Sequence, residues 1–172
     1  KFFGTLYNTY SFFALYANTD GVDPRDFFVD YDKRPEIDRW ILSKYNNLVK
    51  EVDRELAIFD LNRSVRKIQH FVNEDLSNWY IRRNRRRFWA SDLDQDKMAV
   101  YNTTYEVLEG LARLIAPFAP YISEEIYQNL TDELSVHLAD YPVCNEDLID
   151  NRVEERMDLV RDLVGLGRAA RA

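Results

Sequence analysis

FVNEDLSNWYIRRNRRRFW, from Phe71 to Trp89, sets five arginines into six positions, Arg82, Arg83, Arg85, Arg86 and Arg87, between the aromatic pairs Trp79-Tyr80 and Phe88-Trp89. Upstream, Leu61, Val65, Ile68, Val72, Leu76 and Trp79 recur at steps of three and four, which places them on one stripe of an α-helix. The pattern predicts a single long helix starting near Asp60. Carried past Trp79 at about 100° per residue, the wheel brings Arg83 and Arg86 onto the stripe and points Arg82, Arg85 and Arg87 elsewhere. Either the helix leaves the core there, or acids of neighbouring helices pair with Arg83 and Arg86, which wheel position makes the expected internal ion pairs. The five cations form a collar at the helix end.

Arginine's planar fork binds phosphate oxygens in bidentate fashion and stacks on bases, so the collar reads as a phosphate contact. The structural alternative is that cations in a helix's last turns complement its macrodipole, at about 0.3 to 1 kcal/mol each when exposed. One or two cations suffice for that. Trp89, at the end of the collar, is the candidate ring for base stacking; Tyr80, about 100° round from a core Trp79, is expected to be partly exposed.

The 172 residues carry a formal charge of -7 and are 46% apolar. Such a chain can build one domain with a real core, and its acid excess means that a polyanion must be met through a local patch. The single Cys144 excludes an internal disulfide, and with only His70 and His137 beside it no zinc-ligand spacing exists. No run reaches the about 18 apolar residues of a membrane span, and the N-terminus lacks a secretory pattern. A cytoplasmic, reducing compartment, no membrane partner and a monomer are the expectations.

The remaining chain reads as helices of one bundle. Phe3, Leu6, Tyr10, Phe13 and Ala17 share one face of a helix over 1–17, with Lys1, Tyr7 and Asn8 outward. Between Ala17 and Pro35 the periodicity stops, and Asp20-Gly21 and Asp23-Pro24 mark a loop whose Phe27, Phe28 and Tyr31 should tuck onto the bundle. Pro35 opens a helix over 36–56 with Trp40 in the core. The short link to Asp60, a suitable N-cap, makes the next helix its antiparallel neighbour. A helix over 92–116 follows, capped by Ser91 or Asp92; Pro117 breaks it and Pro120 starts a short one to Leu130. Ser135 to Leu138 reads as a short extended piece.

From about Asp147, Val153, Met157, Val160 and Val164 mark a last helix with no stop signal, while residue 1 starts a helix without a cap. Both ends read as cuts through a larger protein. The expected fold is an all-α antiparallel bundle of five or six helices, a single domain with its main bundle in 1–142 and a last helix in 147–172. No Glu-x-x-His pair, glycine-rich phosphate cradle or nucleophile motif is present. These residues alone do not make an enzyme.

NEDLSNWYIRRNRRRFW at 73–89 resembles the signature of the anticodon-binding domain of isoleucyl-tRNA synthetase, a class I aminoacyl-tRNA synthetase family. KFFGTLYNTYSFFALYAN at 1–18, IDRWILSK at 37–44, LIAPFAPYISEEIYQNL at 114–130, SVHLADYP at 135–142 and DLVRDLVGLGRAARA at 158–172 agree with it in order. The valyl and leucyl families share the Asp-Arg-Trp and Pro-Phe-x-Pro elements; the arginine cluster and SVHLADYP point to the isoleucyl one. The family's HIGH and KMSKS signatures, editing domain and zinc-binding tail lie outside this sequence.

The resemblance implies a domain that grips the anticodon stem-loop of isoleucine tRNA, with Arg82, Arg83, Arg85, Arg86 and Arg87 as contact candidates and Trp89 and Tyr80 as stacking candidates. It also implies a parent chain with catalytic and editing domains that uses ATP with magnesium and binds zinc elsewhere. No cofactor or metal is expected in this domain. A rival reading has the collar dock an acidic domain of the same parent protein.

Overall fold

Seven α-helices and one π-helical segment follow each other in the computed structural model, which describes residues 2–171, with no β-strand among the described residues. The outward placement of Lys1 lies outside the described residues. Helix α1 (Phe2–Asp20) buries Leu6, Thr9, Phe13 and Ala17, while Phe3 is exposed. Helix α2 (Glu36–Ala57) starts behind Pro35 and buries Trp40, Ile41, Leu48 and Val52 in the centre of the core. Of the loop rings, Phe27 and Tyr31 pack on that core, but Phe28 is exposed, with the Arg34 guanidinium lying 5.6 Å from its ring centroid.

Helix α3 (Leu61–His70), a π-helix over Phe71–Ile81 and helix α4 (Arg82–Trp89) succeed one another without a break, a rod that begins where the Asp60 carboxylate accepts from the Arg63 N–H at 3.0 Å. The rod is therefore one long helical element, but not one α-helix. Ser64, Ile68, Val72, Leu76, Tyr80, Asn84 and Phe88 are all buried, a strict step of four. At 3.6 residues per turn such a stripe drifts by about 40° per step and would wind off the core face. The i→i+5 pairing of the π segment widens the turn and takes the drift back out. Because the segment packs on both α1 and α2, the stripe has to stay on one side.

Helices α5 (Gln95–Ile115) and α6 (Pro120–Leu130) close the bundle, α5 packing on α2, α4 and α6. The N-cap of α5 is Asp94, whose side chain accepts from the Lys97 N–H at 2.8 Å, rather than Ser91 or Asp92. Val136–Leu138 is a 3-10 turn, not an extended piece, because Ser135 folds its hydroxyl onto the His137 N–H at 3.1 Å. Helix α7 (Asn151–Ala169) starts later than Asp147, at an Asp150 that accepts from the Arg152 and Val153 N–H groups. It lies against α2 and keeps only Val153 buried.

Candidate nucleic-acid interface

Two acids decide where the collar points. Asp38 of α2, fully buried, accepts from Arg87 Nη1 at 2.7 Å, from Arg87 Nη2 at 2.8 Å and from the Tyr80 hydroxyl at 2.8 Å. Asp96, in the first turn of α5, accepts from Arg87 Nε at 2.9 Å and, through its backbone carbonyl, from Nη2 at 2.7 Å. Burial alone would pull the Arg87 pKa down, but the hydrogen bonds and charge of Asp38 outweigh it and hold the guanidinium above its ordinary value. Burial, and then the Asp38 charge, push the Tyr80 hydroxyl well above the usual tyrosine range.

This corrects the wheel. Arg87 is the internal ion pair, while Arg83 and Arg86 are exposed; Tyr80 is fully buried and Trp79 only partly so. An α-helical wheel drawn through a π segment loses phase, which misplaces Tyr80, Arg83, Arg86 and Arg87 while leaving Arg82 and Arg85 outward as expected. Tyr80 therefore presents no face to a base, and the Arg87 fork is occupied by Asp38 and Asp96.

What remains outside is a coherent cationic surface. Arg82, Arg83, Arg85 and Arg86 are exposed, and Arg87 alone of the collar pairs with a carboxylate among the described residues. The Arg83 guanidinium lies 4.6 Å from the Trp79 ring centroid, which orients it. The Trp89 ring is 56% exposed, enough for one face to meet a base. The support is stiff: buried Lys97 donates from Nζ to the Ala90 carbonyl at 2.6 Å and pairs with Asp20 at 2.6 Å, tying the end of α4 to α5 and α1.

The structure adds Arg161 and Arg168 of α7, two cations that sequence reasoning passed over. Arg161 Nη1 donates to buried Asp75 at 2.5 Å, its guanidinium lies 5.5 Å from the Trp79 centroid, and Trp79 Nε1 donates to Met157 Sδ at 3.2 Å. These contacts hold α7 beside the π segment, so both cations stand next to the collar. Their spacing of seven, two helical turns, was the available signal. Among the described residues no three His, Cys, Asp or Glu side chains stand together as a metal-holding group. No helix among them is long and apolar enough to cross a membrane.

The family described as the anticodon-binding domain of tRNA ligase matches residues 38–172. The chain belongs to that family. This anticodon-binding domain is 47% identical, over 99% of its length, to the isoleucine-tRNA ligases of Bacteroides thetaiotaomicron and Porphyromonas gingivalis, and 44% identical over 99% to that of Clostridium novyi. It spans only 15 to 17% of the length of those relatives. Among solved structures it is similar to a leucyl-tRNA synthetase, Agrobacterium radiobacter K84 agnB2, described in a ternary complex with tRNA. The TM-score is 0.56 and the identity 21%, over 82% of this chain and 16% of that one. That likeness shows the helical fold of the domain.

Proposed function

We propose that the domain holds the anticodon stem-loop of isoleucine tRNA, as part of an isoleucine-tRNA ligase that joins isoleucine to its tRNA with ATP and magnesium in the cytoplasm and edits mischarged tRNA. One observation carries the reading: four arginines face solvent with no carboxylate partner among the described residues, at the end of a rod in a molecule of net charge -7, while the fifth is spent on fixing that rod. A helix end that needed charge only for its dipole would need one or two cations, not four. Isoleucine and valine differ by one methylene, which a pocket separates by only about 1 to 3 kcal/mol. Choosing the tRNA is a separate task, and an unpaired loop offers base edges and stackable faces to side chains such as Trp89.

Attachment to the catalytic and editing domains of the same ligase falls to another face. Leu159, Leu163 and Leu166 of α7 are exposed at helical spacing, on the side away from Arg161 and Arg168. The RNA reading is tested by the affinity of the chain for isoleucine tRNA across a salt series. Arg85→Ala with Arg86→Ala should weaken binding and lower the slope of log K against log salt by about two. An unchanged slope would assign the collar to something other than phosphate.

A further inference from the structure

A groove of about 350 Å³ runs between the rod and α7, bordered by Asn78 and Arg82 on one wall and by Val164, Gly165 and Arg168 on the other, with Trp79 between them. The rod's four-residue period aligns Glu74, Asn78, Arg82 and Arg86 in one row, so the groove opens directly onto the collar. Arg161, also in its wall, is neutralised by Asp75. Arg82 and Arg168 pair with no carboxylate among the described residues and stand on opposite walls. Two unpaired forks facing one slot suit a single anion held between them.

Gly165 is the second observation. Glycine is a poor helix former, and near the C-terminal end of α7 (Asn151–Ala169) it weakens a helix that has little buried surface to hold it. Packing inside the chain does not require it: a Cβ built at Gly165 meets nothing within 4 Å. Gly110 of α5 is the contrast, since a Cβ there would run into the Tyr45 ring. A glycine facing an empty slot between two arginines is what the close approach of another molecule's backbone needs.

We infer that this groove is a second phosphate seat of the RNA interface, in which Arg82 and Arg168 grip one phosphodiester of the strand the collar engages and Gly165 lets that backbone lie against α7. The inference rests on the RNA reading of the collar and extends it to a second helix. Glu74 at the far end closes the groove to a longer run of phosphates, so one phosphate is seated there.

The test uses the whole chain with isoleucine tRNA, reading affinity across salt and thermal melting together. Arg82→Ala and Arg168→Ala should each weaken binding about three- to tenfold and lower the salt slope by about one. The double variant should lose little more than either single one, because both act on the same phosphate. Gly165→Leu should melt at a higher temperature yet bind at least about threefold more weakly, whereas Gly167→Leu, away from the groove, should gain the same melting temperature with no change in affinity. If Arg168→Ala and Gly165→Leu bind as the unaltered chain does while Arg85→Ala with Arg86→Ala weakens binding, the groove is overturned and the collar stands. If the Arg85, Arg86 variant and the unaltered chain bind alike, the collar reading falls and the groove with it.

Discussion

Arg87 holds Asp38 through both of its terminal nitrogens, at 2.7 and 2.8 Å, across the contact between α4 and α2. Asp38 is 0% exposed and also accepts from Tyr80, so the pair lies inside a satisfied network. The network fixes the rotation of α4 about its own axis and thereby turns the other four arginines outward. A stabilising contact and the proposed binding surface thus share one short helix.

Breaking the network from the acid side should be costly, because it leaves the largely buried Arg87 guanidinium with only the half-exposed Asp96 as counter-charge and the Tyr80 hydroxyl without its acceptor. Asp38→Ala should lose about 3 to 5 kcal/mol, read as a lower midpoint in urea unfolding. Replacing both partners, Asp38→Leu with Arg87→Met, should recover only part of that loss, because the Tyr80 hydroxyl stays buried without its acceptor, and adding Tyr80→Phe should recover most of the rest. Recovery of stability in the triple variant with weakened tRNA binding would show that the pair orients the collar; full binding with α4 free to rotate would show that it does not.

Two buried tyrosines separate a hydroxyl that has a partner from one that has none. Tyr80 donates to Asp38 at 2.8 Å, whereas the Tyr45 hydroxyl is buried without a hydrogen-bond partner among the described residues. Tyr80→Phe should cost about 1.5 to 3 kcal/mol, the range for a hydrogen bond to a charged group, and Tyr45→Phe should be neutral or stabilising. Neither should change tRNA affinity in conditions where the chain is folded. Equal losses from both substitutions would remove the distinction.

Most helices were legible because their start signals are local: Pro35, Asp60 and Pro120 each stand where a helix begins, and the apolar spacing between them is helical. The phase of the rod was not legible. Its buried stripe includes Ser64, which donates to the Asp60 carbonyl, and Asn84, which donates to the Tyr80 carbonyl. Polar residues that satisfy themselves within the helix do not look like core, so the step of four was hidden and a 3.6-residue wheel was drawn in its place. The cap of α5 was missed for a similar reason. Ser91, Asp92 and Asp94 offer equivalent local caps, and burial of Lys97, a tertiary event, decides among them. Collar composition located the candidate interface; only packing showed which arginine it loses and which helix stands beside it.

Alkaline pH should unfold the domain through its tyrosines. Burial pushes the hydroxyls of Tyr45, Tyr80 and Tyr101 up, and that of Tyr141 to about 12, against about 10 in an unfolded chain. A raised folded value means that the native state keeps its protons longer. Its contribution is therefore complete below about pH 10 and is lost as pH rises from there through the folded values. Melting temperature should fall from about pH 10 upward, and less steeply in Tyr141→Phe, which removes one of the raised hydroxyls. An identical pH dependence in that variant would mean that the Tyr141 hydroxyl does not take part in the alkaline loss.

The turn between α2 and α3 carries a residue in the conformation that glycine prefers. Phe59 has φ 58° and is 89% exposed, while its N–H donates to the Leu56 carbonyl and the Asp60 N–H to the Glu55 carbonyl, both at 2.9 Å. This is the Schellman pairing, whose left-handed position is usually glycine. A left-handed conformation costs an L-residue roughly 1 to 2 kcal/mol, and glycine gives back about 0.5 to 1 kcal/mol of that through its greater freedom when unfolded. The exposed ring contributes little packing to set against the difference. Phe59→Gly should therefore stabilise the domain by about 0.5 to 1 kcal/mol, while Phe59→Ala, which keeps the Cβ, should change it by less than about 0.5 kcal/mol. Urea unfolding of the two variants side by side decides the matter: a loss in both would mean that the ring, and not the backbone, is what the turn relies on.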